Sequence, residues 1–130
     1  MPFDGKTYTP TPVVVPMTGR ERLRVLADFL DTVPPHKFDI GLYWCRSSAC
    51  ALGWATKIPA FAAAGYRLDA DDVPGLNSNG NKAFEDAATF FGISNRQVLT
   101  FFGTTPHNPR DITGRQVANN IRSYLAEQEA

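Results

Sequence analysis

The sequence has little from which to build a reactive site: two cysteines, Cys45 and Cys50, and two histidines, His36 and His107, in 130 residues. Two cysteines are too few to frame a secreted disulfide module, so a reducing cytoplasm is the expected compartment. No run approaches the roughly 18 apolar residues of a membrane-spanning helix, and no membrane partner is expected. Met1-Pro2-Phe3-Asp4-Gly5-Lys6 lacks the basic-then-apolar pattern of a secretory signal. Neither sign of charge prevails, because 13 basic side chains balance 13 acidic ones for a formal net charge of +0. That balance argues against a general polyanion binder. A Gly-rich phosphate loop, a nucleophile elbow and an H-E-x-x-H pair are all missing, and no cofactor is implied. What the chain does have is apolar substance: 43% hydrophobic and 12% aromatic residues, enough for a real core.

The pattern predicts an all-α fold: a single α-helical domain over residues 18–130 with about five or six short helices, preceded by an extended Pro-rich arm over 1–17. Pro2, Pro10, Pro12 and Pro16 keep the arm out of a helix. Val13-Val14-Val15 either packs on its own domain or adds to the sheet edge of a partner, which makes it a candidate partner-binding element. The first helix starts at a capping box, Thr18 with Glu21, carries Leu23, Leu26, Ala27, Leu30 and Val33 on one face, and ends at Pro34-Pro35. Residues 36–44 are read as an irregular, buried connection. A second helix is expected from Ser47 or Ser48 as N-cap to Ile58, then a short one from Pro59 closed by Gly65. Residues 66–80 form the long loop, with Tyr66-Arg67-Leu68 as a short extended piece. Helices follow over about Lys82–Phe91, with Phe84, Ala87, Ala88 and Phe91 inward, and from Ser94-Asn95-Arg96-Gln97 to Gly103. The last opens with Thr113-Gly114-Arg115-Gln116, which resembles Thr18-Gly19-Arg20-Glu21; shared cap chemistry accounts for the likeness without a duplication.

Two constellations carry candidate chemistry. Cys45 and Cys50 form a candidate thiol pair, with Cys50 expected in the first turn of the second helix, where the exposed amides favour a thiolate and burial opposes it. Their C-x4-C spacing is not the C-x-x-C of thioredoxin-like motifs. A zinc site would need His36 and His107, which the sequence does not bring to the cysteines. The expectation is therefore that both thiols are structural, reduced and metal-free, with redox or metal chemistry as an alternative. The second constellation spans residues 83–102. Ala88, Gly92, Ile93, Ser94 and Val98 follow helix-turn-helix grammar, which would offer Asn95, Arg96, Gln97 and Thr100 to base edges. Against DNA stand the single basic residue there and the need to accommodate Leu99 and Phe102, so a plain helical hairpin is preferred.

Other signals are weaker. Asp69, Asp71 and Asp72 suggest calcium, but Val73 and Pro74 break the ligand pattern and no closing Glu follows. Asn77-Ser78-Asn79-Gly80-Asn81 holds no glycosylation acceptor, since Asn79 occupies the third position. Arg20, Arg22 and Arg24 read as solvated charges.

Cys45-Arg46-Ser47-Ser48-Ala49-Cys50-Ala51-Leu52-Gly53-Trp54-Ala55, with Phe91-Gly92-Ile93-Ser94 further on, resembles a group of small bacterial and phage proteins of unknown function. Their pattern is Cys-Gly-Thr-x-x-Cys-x-x-Gly-x-Ala, and this chain has Arg46-Ser47 where the pattern favours Gly-Thr. The resemblance implies a bacterial or phage origin and one local structure shared by the cysteines and Gly53, where a missing side chain allows close packing. It implies no activity. Without convergent acid, base or nucleophile groups, catalysis is not the preferred reading. The sequence points first to a non-enzymatic protein-protein interaction or accessory module, binding itself or another protein, then to DNA binding, then to thiol chemistry.

Overall fold

A computed structural model describes residues 17–44, 48–77, 79–104 and 108–129. Among them the chain is mostly helical, with six α-helices and one two-stranded sheet. The helices are α1 (Gly19–Leu30), α2 (Ala51–Ala55), α3 (Pro59–Ala63), α4 (Ala83–Phe91), α5 (Asn95–Phe102) and α6 (Gly114–Glu129). A 3₁₀ turn, Pro35–Lys37, follows α1, and the strands β1 (Arg67–Leu68) and β2 (Pro74–Gly75) lie between α3 and α4. No helix among the described residues is long and apolar enough to cross a membrane.

Three helices start at reciprocal capping boxes. Thr18 Oγ1 accepts from the Glu21 N–H at 3.1 Å while Glu21 Oε1 accepts from the Thr18 N–H at 2.8 Å. Ser94 with Gln97 and Thr113 with Gln116 repeat the exchange, which satisfies amides that a helix start otherwise leaves open. The glycine inside two of these boxes has its own role. A Cβ on Gly19 would overlap the carbonyl of Phe91 at the end of α4, and one on Gly114 would stand 3.0 Å from the Leu30 carbonyl oxygen at the end of α1. The Thr-Gly-Arg start thus lets each helix N-terminus abut the C-terminal carbonyls of another helix, where opposite dipole ends meet.

The structure departs from the expected elements in instructive ways. Helix α1 ends at Leu30, not Pro34, because a residue before proline is disfavoured in the α region and Val33 precedes Pro34. Residues 66–80 are not a plain loop: β1 and β2 pair antiparallel, Arg67 opposite Gly75 and Leu68 opposite Pro74. Asp69 closes this hairpin. Its Oδ1 accepts from the Asp71 and Val73 amides at 2.8 and 3.0 Å, and its Oδ2 from the Asn81 amide at 3.1 Å. These bonds, that from Val73 foremost, hold the Asp69 carboxyl below the usual carboxylate range against a smaller opposing effect of burial. Asn81 donates to the carbonyls of Arg67 and Val73 and accepts from the Asn77 amide. Asp69 is therefore turn scaffolding.

One hydrophobic cluster joins all six helices. Its aromatic centre has Tyr66 stacked on Phe90 at 4.6 Å, with Phe61 edge-on to Phe90 at 5.0 Å and Phe91 close by. Phe90 is buried, while Phe84 and Ala88, expected inward, are only half-buried. Arg22 is not simply solvated: it donates to the Phe90 carbonyl at 2.8 Å and lies 4.0 Å over that ring, closing the end of α4.

Helices α1 and α6 pack antiparallel, and their outer seam is ionic. Arg122 donates to Asp31 at 2.6 Å and to Asp28 at 2.9 Å. The Arg122 hydrogen bond, outweighing burial, holds the Asp31 carboxyl below its ordinary range. Because the folded value is depressed, this stabilisation is present above the ordinary carboxylate pKa of about 3.9 and is lost as pH falls through the depressed value. Arg122→Ala is expected to cost about 1 kcal/mol near neutrality, as for a partly exposed pair. Urea titrations at pH 7 and at acid pH check it: the gap between variant and parent should shrink in acid and in high salt.

Candidate functional site

The segment following the 3₁₀ turn wraps around the start of α2. Phe38 and Ala49 form a parallel bridge in which the Asp39 amide donates to Ala49 at 3.0 Å and the Ala49 amide to Lys37 at 3.2 Å. One step further on, the Cys50 amide donates to the Leu42 carbonyl at 2.6 Å. Gly53 lies beneath the strap, where a Cβ would overlap the Tyr43 carbonyl oxygen and stand 2.8 Å from the Ala49 Cβ. Trp54 fastens the outer side, its indole N–H donating to the Lys37 carbonyl at 2.9 Å.

Cys50 is the N-cap of α2, not a residue of its first turn, and α2 begins at Ala51 rather than after Ser47 or Ser48. Ser48 is unavailable as a cap because its hydroxyl turns to the His36 carbonyl at 3.4 Å, while the Cys50 backbone is extended with φ −75° and ψ 178°. Cys50 is 3% exposed. Burial pushes its pKa up, outweighing the Gly53 and Leu52 amides at the helix start, which pull it down. Of the candidate thiol pair, Cys50 is thus placed in the core, whereas Cys45 lies outside the described residues. His36 is exposed on the 3₁₀ turn and His107 lies outside the described residues. Among the described residues no three His, Cys, Asp or Glu side chains gather as metal ligands would.

A serine hydroxyl at this N-cap would accept from the Leu52 and Gly53 amides but would bury its own O–H donor in an apolar site, so Cys50→Ser is expected to destabilise by about 1 kcal/mol. Alkylation of the native protein at neutral pH checks the thiol itself: Cys50 should react only on unfolding, and fast modification would restore thiol chemistry to the front.

The strap has an outer face that sequence reasoning missed. Residues 36–44 were expected to be buried, and Phe38 and Ile40 are; Leu42 and Tyr43, however, are 37% and 39% exposed. Trp44 is half-buried, edge-on to Trp54 at 5.3 Å, with the Lys57 ammonium 4.3 Å over its ring. Phe29 of α1 continues the row, 6.2 Å from Trp54. Both tryptophans of the chain lie in this patch. The adjacent Tyr43-Trp44 aromatics were the only signal for it in the sequence.

The helix-turn-helix segment folds as α4, a turn at Gly92, and α5. Gly92 adopts the left-handed conformation with φ 65° and ψ 38°, and Val98, Phe101 and Phe102 are buried beneath α5. Asn95, Arg96 and Thr100 are exposed, and Leu99, 47% exposed, shares their side of the helix. Two of the four candidate DNA contacts are already engaged: Gln97 in the capping box, and the Thr100 hydroxyl with the Arg96 carbonyl at 3.0 Å. Asn108, buried completely, closes the far end by donating to the Thr100 and Gly103 carbonyls. Nothing in the sequence marked it. Arg96 is the only basic residue of α5, whereas Glu85 and Asp86 lie on α4.

A surface groove of about 700 Å³ runs between the start of α1, the α4–α5 turn and the end of α6. Of its charged groups, Glu21 is engaged in the capping box and Arg24 with Glu129. The candidate arm Val13-Val14-Val15 lies outside the described residues. Comparison with protein-family models, with curated proteins and with solved structures finds no match to this chain.

Proposed function

We propose that this chain is a non-enzymatic protein-interaction module whose docking face is the outside of the strap, Leu42, Tyr43 and Trp44 backed by Trp54. The observation that supports it is the pair of large side chains held outward on a backbone tied down at both ends. The Cys50 amide and the bridge at Phe38 fix the strap, so little ordering would be left to offset on binding. Aromatic residues with one wet side are the type enriched at the centre of protein interfaces. On this reading the cysteine and glycine of the Cys-x-x-Gly motif shape the strap and do no chemistry. The motif's likeness to small bacterial and phage proteins would then mark a shared docking element.

DNA binding by α5 is the second reading, favoured by the left-handed turn at Gly92 and the exposed Asn95 and Arg96. It has one cation to offer phosphates, and Leu99 stands among the would-be contacts.

A Leu42→Ser/Tyr43→Ser double variant separates the two. Its circular dichroism and melting should match the parent, while a protein partner retained by the immobilised parent should be lost. A partner retained equally by both would overturn the proposal. Salt-sensitive retention of mixed-sequence duplex, lost in Arg96→Ala and untouched by the strap variant, would put the DNA reading in its place.

A further inference from the structure

The polar loop between the hairpin and α4 holds a group with its own chemistry. Asn79 and Gly80 are both exposed, Gly80 has φ +115°, and a Cβ built there would meet nothing within 4 Å. Among the described residues no acceptor takes the Gly80 N–H and no donor engages the Asn79 side-chain carbonyl, while the Asn79 amide is anchored on Asn77 Oδ1 at 3.1 Å. We propose that Asn79-Gly80 is a site of spontaneous deamidation, the residue at which this protein acquires a new charge as it ages.

The step is intramolecular. The deprotonated Gly80 nitrogen attacks Cγ of Asn79, a C–N bond forms, the Cγ–Nδ2 bond breaks, and ammonia leaves with the proton. The five-membered succinimide then takes up water. Opening at Cγ leaves an aspartate at position 79, and opening at the α-carbonyl leaves isoaspartate, in which the backbone runs through the former side chain. Ring closure needs the following nitrogen to swing toward Cγ, which an unhindered glycine permits.

The structure singles out Asn79 among the seven asparagines of the sequence. Asn95, Asn119 and Asn120 lie in helices whose backbone is fixed. Asn108 is completely buried and is followed by Pro109, which has no N–H to attack with. Asn81 spends its side chain on three backbone groups, and the Asn77 oxygen accepts from Asn79. Isoaspartate at this position would lengthen the chain between Asn77 and Asn81, whose bond at 2.6 Å secures the loop. The reaction therefore loosens the loop whose Asn81 braces the hairpin, as well as charging it.

The full chain is incubated in mildly alkaline buffer and sampled by peptide mapping, with a methyltransferase that esterifies isoaspartyl carboxylates as second probe. The expected result is a peptide heavier by about 1 Da, the difference between water gained and ammonia lost, split into aspartyl and isoaspartyl forms at position 79, with the other six asparagines intact. Asn79→Ser, an exposed change that leaves Gly80 in place, should lose both signals and melt like the parent. A site that reacts in urea but not in the folded protein would show that the fold protects it and overturn the proposal. So would deamidation that falls first on another asparagine.

Discussion

Gly53→Ala is expected to destabilise the protein by about 3 kcal/mol, near the upper end for forcing a group into a packed site. Alanine is the better helix former by about 1 kcal/mol, so propensity alone would give the opposite sign. The steric argument prevails because the new methyl meets the Tyr43 carbonyl, which is strap backbone, and the Ala49 Cβ, which sits rigidly on the backbone bridged to Phe38. Neither can rotate away as the end of a flexible side chain would. The cheapest relief is to lift the strap, which breaks the Cys50-to-Leu42 bond and uncovers Cys50. Two measurements follow. Chemical denaturation should show the loss, and Cys50 should become reactive toward alkylation in the native buffer. A Gly53→Ala protein as stable as the parent and still protected at Cys50 would mean that the strap is not held down there. Leu42→Ser/Tyr43→Ser, which acts on the outer face, is expected to leave Cys50 protected; the two variants thus separate the strap's attachment from its surface.

The same strap shows where sequence reasoning reached its limit. Capping boxes were legible at Thr18, Ser94 and Thr113 because the two partners are three residues apart and the chemistry is local. The left-handed glycine after α4 and the buried stripes of α1 and α6 were legible for the same reason: periodicity and caps are written over a few neighbouring residues. The start of α2 was not. Ser47 and Ser48 are better caps than cysteine by intrinsic preference, but the backbone of residues 38–42 pairs with residues 49 and 50 and keeps the chain extended through Cys50. Tertiary hydrogen bonding overrode propensity. The hairpin and the loop that follows it were hidden in another way. Asp69, Asn81 and Asp86 reach backbone amides 4 to 12 residues away, an arrangement with no period and no motif, so the composition suggested only a solvated loop. The exposed strap was hidden because Leu42-Tyr43-Trp44 reads as core. Only the placement of Gly53 and Cys50 beneath it turns those side chains outward.

Asn108 is the second position where a large effect is expected, and the order of its variants is diagnostic. Its side-chain nitrogen donates to the carbonyls of Thr100 and Gly103, so it closes the C-terminal end of α5 from a completely buried position. Asn108→Ala removes both donors, leaves those carbonyls without that partner and should cost about 2 kcal/mol. Asn108→Asp keeps the shape but replaces the donor with a carboxylate oxygen facing carbonyl oxygens. Among the described residues no cation is placed to offset a buried charge, so this variant should fall below alanine at neutral pH, by about 3 kcal/mol or more relative to asparagine. The pH dependence fixes the cause. An introduced carboxyl in this site has its folded pKa raised above the ordinary value of about 3.9, so its penalty is fully present above the folded pKa and fades as pH falls through it. A neutral carboxyl can also donate to one of the two carbonyls. Denaturation of the three proteins over an acid-to-neutral series should therefore show the Asn108→Asp protein gaining on the Asn108→Ala protein as the pH drops, with the parent highest throughout. If aspartate matched asparagine at neutrality, the amide nitrogen would not be the group that closes α5. The end of the helix carrying Arg96 and Leu99 would then be held by its buried Phe101 and Phe102 alone.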